Sequence, residues 1–273
     1  MKLFFSEFNS NYSNYSFAYG VYCFKENQEE QHEIYGMGFL PYSGTAGEGH
    51  ETFYMARSLR VDLARFEDTS ENRRVARKVA NLDIRLTVCP KADIDTADPA
   101  FREFCLGYTR QRFHGDPMPE RQFDFMLRRD TLTHIIRFDI ADKPIGYVFA
   151  AMEGGALHYW YAFFDTSLMD DYPLGKWMMW RTITWAKENG LQYVYLGTCA
   201  TRRGLYKVRD HKGLEYFAGD GWSADMDALK KLCHDDEDAP PKEQDGFRSQ
   251  GARSAERLME AGTPCVAEGR LLA

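Results

Sequence analysis

The chain has 273 residues, 44% of them hydrophobic and 15% aromatic, which is enough to bury the core of one large or two modest domains and too apolar for a disordered chain. Its formal net charge of −7 excludes a histone-like coat for nucleic acid. It leaves room for a local basic patch, because screening over about 8–10 Å makes local charge what a phosphate meets. Six cysteines, at positions 23, 89, 105, 199, 233 and 265, form no C-x-x-C pair, which speaks against zinc-ribbon and iron–sulfur sites and for buried, reduced thiols. No stretch approaches the roughly 20 apolar residues of a membrane span and no signal peptide is visible, so a cytoplasmic protein is expected.

In chain order, FAYGVYCF (17–24) predicts a short strand, KENQEEQHE a loop or helix start, and the glycine-rich 35–49 a connection or binding loop. Residues 53–65 alternate, with Met55, Leu59, Val61 and Leu63 facing one way, and predict one strand. Asp68-Thr69-Ser70 supplies cap chemistry for a basic helix, ENRRVARK (71–78), whose Arg73, Arg74, Arg77 and Lys78 share one broad face. That face reads either as a solvated helix side or as a phosphate contact. Between Arg57 and Lys91 nine basic residues oppose five acidic ones, the main positive region of the first half.

DIRLTVCP (83–90) predicts a strand. Two helices follow, one opened by Asp98-Pro99 with Phe101, Phe104, Cys105 and Tyr108 at helical spacing, one opened by Pro119 with Phe123, Met126 and Leu127. Three strands (134–140, 145–152 and 156–164) joined by short loops predict an antiparallel meander. A helix from Pro173-Leu174-Gly175 to Asn189-Gly190 and a strand Tyr193–Leu196 then complete a strand–helix–strand unit, at whose carboxyl ends ligands tend to sit. A basic segment to Tyr206-Lys207, a strand at 214–219 and a last helix from Trp222 to Leu232 are expected. Residues 235–273, acidic, proline-bearing and poor in large apolar side chains, are expected to be a mostly disordered tail.

The element order from the meander onward resembles the acyl-transferring GNAT fold. The expected class is therefore α/β (α+β): a GNAT-like acyltransferase domain with a mixed central sheet over residues 97–234, after a smaller N-terminal α+β domain over 1–96. The usual donor in that fold is acyl-CoA, held by a loop resembling Arg/Gln-x-x-Gly-x-Gly/Ala at the helix start. Here, with Gly175 as the first glycine the second position is Trp177; with Gly175 as the second, the first is Pro173. Asp170 and Asp171 in the same turn repel a pyrophosphate, so CoA is disfavoured.

Several short motifs resemble the aminoacyl-tRNA–protein transferases, the eukaryotic arginyl and bacterial leucyl enzymes that modify N-terminal Asp or Glu. They are the Gly38–Gly44 segment (GF-x-x-SG, offset by one residue), R-x-x-R-V-x-x-x-x-F from Arg57 to Phe66, Ser70 to Arg74, Y-x-F-F-D from Tyr161 to Asp165, Leu174-Gly175, Y-V-Y-L-G from Tyr193 to Gly197, and Tyr206-Lys207. The likeness spans roughly residues 35–232 and is strongest over 158–207. Two departures stand out: Cys23 alone represents the family's N-terminal cysteine cluster, and Arg203-Gly204 stands where a Cys-Lys pair is usual.

The resemblance implies transfer of an amino acid, of the arginine or leucine type, from tRNA to an amine such as the N-terminus of an acidic protein or peptide. Aminoacyl-tRNA is then a co-substrate, with no metal and no other cofactor expected. It implies that Asp165 orients or deprotonates the amine, though a turn-capping Asp reads equally well. Tyr161 hydrogen-bonds the reacting groups or belongs to the core, and Lys207 pairs with an acidic acceptor or the tRNA 3′ end. Leu174, Gly175, Lys176, Gly197 and Tyr206 are the expected donor-binding residues. Arg202, Arg203 and Arg209 form a second positive strip for tRNA beside the Arg73, Arg74, Arg77 and Lys78 face. The competing readings are an acyl-CoA N-acyltransferase, a tRNA-dependent enzyme with a small-molecule or biosynthetic peptide acceptor, and a catalytically silent binding module.

Overall fold

A computed structural model describes residues 1–5, 20–43, 51–113, 115–238 and 250–265. In chain order its elements are β1 (Lys2–Phe5), β2 (Val21–Lys25), α1 (Glu30–Gly36), β3 (Phe39–Pro41), β4 (Glu51–Met55), β5 (Ser58–Asp62), α2 (Ser70–Val79), β6 (Ile84–Pro90), α3 (Pro99–Arg112) and α4 (Glu120–Arg128). Then follow β7 (His134–Ile140), β8 (Lys143–Glu153), β9 (Ala156–Phe164), α5 (Leu174–Glu188), β10 (Tyr193–Thr198), α6 (Tyr206–Asp210), β11 (Leu214–Phe217), β12 (Trp222–Ser223), α7 (Met226–Asp238) and α8 (Gln250–Glu260). The class is mixed α/β, as expected. The expected strand 17–24 and glycine-rich segment 35–49 lie partly outside the described residues, which hold β2 and β3 of them.

The chain forms two compact units. One comprises Met1–Asp62, Tyr195–Arg209 and Gly213–Ala273; the other Leu63–Val194 and Asp210–Lys212. The expected boundary between residues 96 and 97 falls inside the second unit. The reason is pairing: β6 matches β7 along its whole length, from Ile84 opposite Ile140 to Pro90 opposite His134, so residues before 97 belong with the meander.

In the second unit β6, β7, β8 and β9 form the antiparallel meander, with β7–β8 and β8–β9 registered hairpins and a bulge at Phe138/Asp139 and at Phe149/Ala150. Gly154 and Gly155, both at positive φ, close the β8–β9 hairpin, where a primed two-residue turn needs that conformation. α3 and α4 cover the meander with Phe101, Cys105, Leu106, Phe123 and Met126, which meet Ile135, Phe149 and Phe163 in one aromatic-rich core. The spacing read from the sequence put Phe101, Cys105, Phe123, Met126 and Leu127 in this core, with Phe104 and Tyr108 packed against it. Asp98 caps α3 by accepting from Ala100 N at 3.0 Å, with Pro99 at the first helical position. Met178, Ile183 and Ala186 of α5 are fully buried.

In the first unit β1, β2, β4 and β3 make a four-stranded antiparallel sheet in the order β1-β2-β4-β3, with Leu3, Phe4, Cys23, Phe39 and Phe53 buried. The single strand expected over 53–65 is a correction: β4 pairs with β2 and β3, β5 pairs with β11, and the chain breaks between them at Ala56-Arg57. Alternation alone does not register such a break, because Met55, Leu59 and Val61 are buried on both sides of it. On the β5–β11 ladder Arg60 stands opposite Glu215, and the two ion-pair at 2.8 Å while the guanidinium lies 4.0 Å over the Trp222 ring.

The expected last helix, Trp222 to Leu232, is also corrected. Trp222 and Ser223 pair with β11 as β12, and α7 runs on to Asp238. Within the segment expected to be a disordered tail, residues 235–238 end α7 and 250–260 form α8. Ala255 of α8 is fully buried, and Ser254 Oγ donates to the Gly219 carbonyl. Leu3 N–H donates to the Pro264 carbonyl at 2.8 Å.

Candidate functional site

In the second unit the residues expected to act lie around the start of α5. β9 ends at Phe164, and Asp165 Oδ1 accepts from Ser167 N at 2.9 Å and Ser167 Oγ at 2.6 Å, so its carboxylate caps the following turn. Of the two readings of Asp165, this contact is the capping one. Tyr161 stacks on Phe163 (6.2 Å between centroids, 14° between planes) and packs, half-buried, against the aromatic core.

Leu174 is buried, and Gly175 rests on the Phe164 ring: a Cβ there would lie 3.0 Å from Phe164 Cε1. Pro173 offers no side-chain cap; at the start of α5 Leu174 N–H donates to the Tyr172 carbonyl at 2.8 Å and Trp177 N–H to the Pro173 carbonyl at 3.0 Å, which leaves the amides of Gly175 and Lys176 as the first-turn donors without an intrahelical partner. Lys176, expected to bind the donor, is engaged otherwise. Its Nζ lies 3.1 Å from Glu71 Oε1 and 2.9 Å from Asp210 Oδ2. Asp170 and Asp171 are exposed.

Those ion pairs fasten α5 to α2. Thr69 and Asn72 form a reciprocal capping box, as the Asp68-Thr69-Ser70 signal predicts, and Asn72 Nδ2 also donates to the Asp210 carbonyl at 2.9 Å. Trp180 Nε1 of α5 donates to Asp68 Oδ1 at 2.7 Å. Val75 and Val79 are buried, so the opposite face, with Arg73, Arg74, Arg77 and Lys78, is exposed. Arg74 binds Glu71 through two nitrogens at 2.7 and 2.8 Å, and Arg73 Nη1 donates to the Asp68 carbonyl at 2.9 Å. Arg74, and after it Lys176, hold the Glu71 carboxyl down at about 2.

In the first unit Lys207, in α6, reaches back with its amine to the end of β10. Gly197 takes φ +79°, and Lys207 Nζ donates to the carbonyls on either side, Leu196 O at 2.5 Å and Thr198 O at 3.3 Å. The amine is 3.8 Å from where a Cβ on Gly197 would be. Burial of the amine pulls its pKa down to about 8, opposed by the Cys199 sulfur. Two of the three ammonium donors are therefore committed to carbonyls, and on losing the third proton the amine keeps both bonds and gains a lone pair. Such a group can give or take a proton near neutral pH. Tyr206 is 39% exposed, its ring centroid 5.9 Å from Lys207 Nζ.

The second basic strip is partly neutralised. Arg202 binds Asp238, lies 3.7 Å from Glu237, and donates its backbone N–H to Glu237 Oε2 at 3.2 Å, whereas Arg203 and Arg209 are exposed. Sequence reading missed a buried cluster beneath. Arg57, fully buried, binds Asp236 at 2.8 Å and approaches Cys233 Sγ at 3.9 Å, and Cys233 Sγ lies 3.7 Å from Cys199 Sγ. No local pattern announces partners 179 residues apart. Among the described residues no group of three His, Cys, Asp or Glu side chains is placed to hold a metal ion, and no helix is long and apolar enough to cross a membrane.

Among curated proteins none matches the sequence. Similar solved structures include the C-terminal DUF2156 domain of a putative lysylphosphatidylglycerol synthetase from Agrobacterium fabrum, at 13% identity over 76% of this chain and 64% of that one, TM-score 0.42. L-PGS from Bacillus licheniformis is similar at 11% identity over 77% and 70%, TM-score 0.42, and FemX at 12% over 67% and 65%, TM-score 0.43. The chain thus spans slightly less than two thirds of the length of the first and the third. Residues 69–216, more than half of the 273, match the sequence model of the acetyltransferase (GNAT) domain, from the cap of α2 through β11. The chain belongs to the GNAT acetyltransferase-domain family.

Proposed function

We propose that the protein transfers an amino acid from an aminoacyl-tRNA to an amine, the acceptor being the N-terminus of a protein or peptide that begins with Asp or Glu. The observation that carries this reading is the attachment of α2 to the first turn of α5 through Glu71 and Lys176. It sets the exposed Arg73, Arg74, Arg77 and Lys78 beside the helix start that meets the donor in this fold, a surface suited to a polyanion longer than one cofactor. The same helix start carries two exposed aspartates and spends its one lysine on carboxylates, which suits a pyrophosphate poorly.

The donor ester is already activated, so the enzyme mainly has to position the amine. A peptide α-amine has a pKa of roughly 7.7–8.0 and is partly neutral at neutral pH. Its nitrogen attacks the ester carbonyl, the amide bond forms, the bond to the terminal ribose oxygen breaks, and the amine proton passes to that oxygen. The amides of Gly175 and Lys176 face the developing oxyanion. In the second unit Asp165 orients the amine while capping its turn, Tyr161 lines the approach and Leu174 contacts the donor. In the first unit Lys207 is the group proposed to pair with an acidic side chain or to relay a proton, and Gly197 and Tyr206 are its proposed neighbours in donor binding. Arginine or leucine is the proposed amino acid, and a cytoplasmic setting follows from the tRNA donor.

A second reading, acyl-CoA-dependent N-acylation, is favoured by the description of the family itself. Incubation with labelled arginyl- or leucyl-tRNA, or with labelled acetyl-CoA, and peptides beginning Asp, Glu or Ala separates the two. Label passing from tRNA to Asp and Glu peptides is the expected result; label passing only from acetyl-CoA would transfer the assignment to the second reading. A small-molecule acceptor is indicated if tRNA is deacylated without any peptide being labelled.

A further inference from the structure

The first unit encloses a pair of sulfurs that the transfer reaction does not use. Cys199 and Cys233 are both fully buried, with Sγ atoms 3.7 Å apart. Cys199 directly follows β10; its amide donates to the Arg57 carbonyl at 3.0 Å, and a Cβ on Gly204 would lie 2.9 Å from its sulfur. Cys233 lies in α7, one turn before Asp236, and the Arg57 guanidinium reaches both, at 3.9 Å to the sulfur and 2.8 Å to the carboxylate. We propose that Cys199 and Cys233 form a dithiol that closes to an intramolecular disulfide under peroxide, tying the end of β10, on which Lys207 is held, to α7.

The two thiols are not equivalent. The contact with Cys199, and beyond it the Arg57 guanidinium, hold the Cys233 thiol below its ordinary range, while the same contact and burial push Cys199 up. With the Arg57 guanidinium 3.9 Å from its sulfur, a positive charge that favours the thiolate, Cys233 is the first nucleophile. Its thiolate attacks one oxygen of the peroxide, the O–O bond breaks, and Cys233 becomes a sulfenic acid as the other oxygen leaves as water. The Cys199 sulfur then attacks the sulfenyl sulfur, the S–S bond forms, and a second water departs with the Cys199 proton. Two thiols and one peroxide thus give one disulfide and two waters. Peroxide is small enough to reach the pair on local opening.

Closing a 3.7 Å contact to a bond of about 2.05 Å moves the sulfurs together by about 1.7 Å. Gly204 packs close against Cys199, and the carbonyls of Leu196 and Thr198 belong to the same strand end, so Lys207 is drawn along. Disulfide closure is independent of the donor that the enzyme uses.

The test uses the full chain carrying Cys89→Ser and Cys265→Ser, which removes a half-buried and an exposed thiol. The reduced protein is titrated with hydrogen peroxide, blocked with N-ethylmaleimide and digested without reductant for mass spectrometry. The expected result is one cross-linked peptide pair joining Cys199 and Cys233, lighter by two hydrogens, found in monomeric protein and reversed by dithiothreitol. Labelling of Lys207 by an acylating reagent, with its pH midpoint near 8 in the reduced form, shifts on oxidation. Both cysteines still open to maleimide, or Cys233 carried to sulfinic acid without a cross-link, would overturn the proposal; a cross-link with an unchanged Lys207 midpoint would overturn its connection to Lys207.

Discussion

Two lysines show how the same side chain is put to different use in the two units. Lys176, at the start of α5, lies between the carboxylates of Glu71 and Asp210. Lys207, in α6, holds its amine between the Leu196 and Thr198 carbonyls at the end of β10. Opposite charges fix an ammonium and make it a fastener between helices. Neutral carbonyls satisfy its hydrogens without balancing its charge, so burial is free to move the proton equilibrium down to about 8. Residue type alone does not separate an anchor from a group that exchanges protons; the partners do.

The sharpest way to break this contrast is to remove Lys207. Lys207→Ala is expected to lower transfer by about 10²–10⁴-fold while far-UV circular dichroism stays unchanged; Lys207→Arg separates its two proposed roles, restoring transfer where the residue pairs with a carboxylate and failing to where it relays a proton, since a guanidinium does not deprotonate in this range. Steady-state rates at pH 8 check both. Full activity in Lys207→Ala would take the residue out of the site.

Next in size is the support beneath β10. Asp236→Ala leaves Arg57 charged and buried, and urea unfolding should show a loss of about 3–5 kcal/mol. The contrast also has a pH signature. In the folded chain Lys207 gives up its proton near 8 instead of near 10.5, so between those values the unfolded chain binds more protons at this group and its contribution to stability rises with pH. Buried thiols whose pKa is raised, Cys23 and Cys105 among them, act in the opposite sense in both proteins, so the measurement is the difference in unfolding midpoint between native protein and Lys207→Met, which should shift in favour of the native protein as pH climbs across that window.

Reversing charge at Arg73, Arg74 and Arg77 should weaken tRNA binding and flatten the slope of log affinity against log salt by roughly 0.7–0.9 for each phosphate that is no longer neutralised. An unchanged slope would reduce the α2 face to a solvated surface. The smallest effect belongs to the fastener itself. Glu71→Gln should cost about 1 kcal/mol or less, because its partners are partly exposed. Glu71 titrates at about 2 in the folded chain against an ordinary 4.5, so its contribution is complete above 4.5 and is lost as pH falls through 2. An acid titration of native and Glu71→Gln protein should converge at the lowest pH.

Elements whose partners are close in the chain are written in local residue patterns. The meander from β7 to β9, the caps of α2 and α3 and the strand–helix–strand run from β9 to β10 are all legible, since alternation, turn glycines and cap residues act within a few positions. Packing set the break between β4 and β5, the return of residues 213–238 and 250–265 to the first unit, and the buried contacts of Arg57 with Cys233 and Asp236. It also decided that Lys176 would be occupied and Lys207 left able to titrate. These outcomes depend on which groups share a desolvated space: Arg57 meets partners 176 and 179 residues away, and even Lys207, 9 and 11 residues from its carbonyls, titrates low because of what buries it, which no local pattern records.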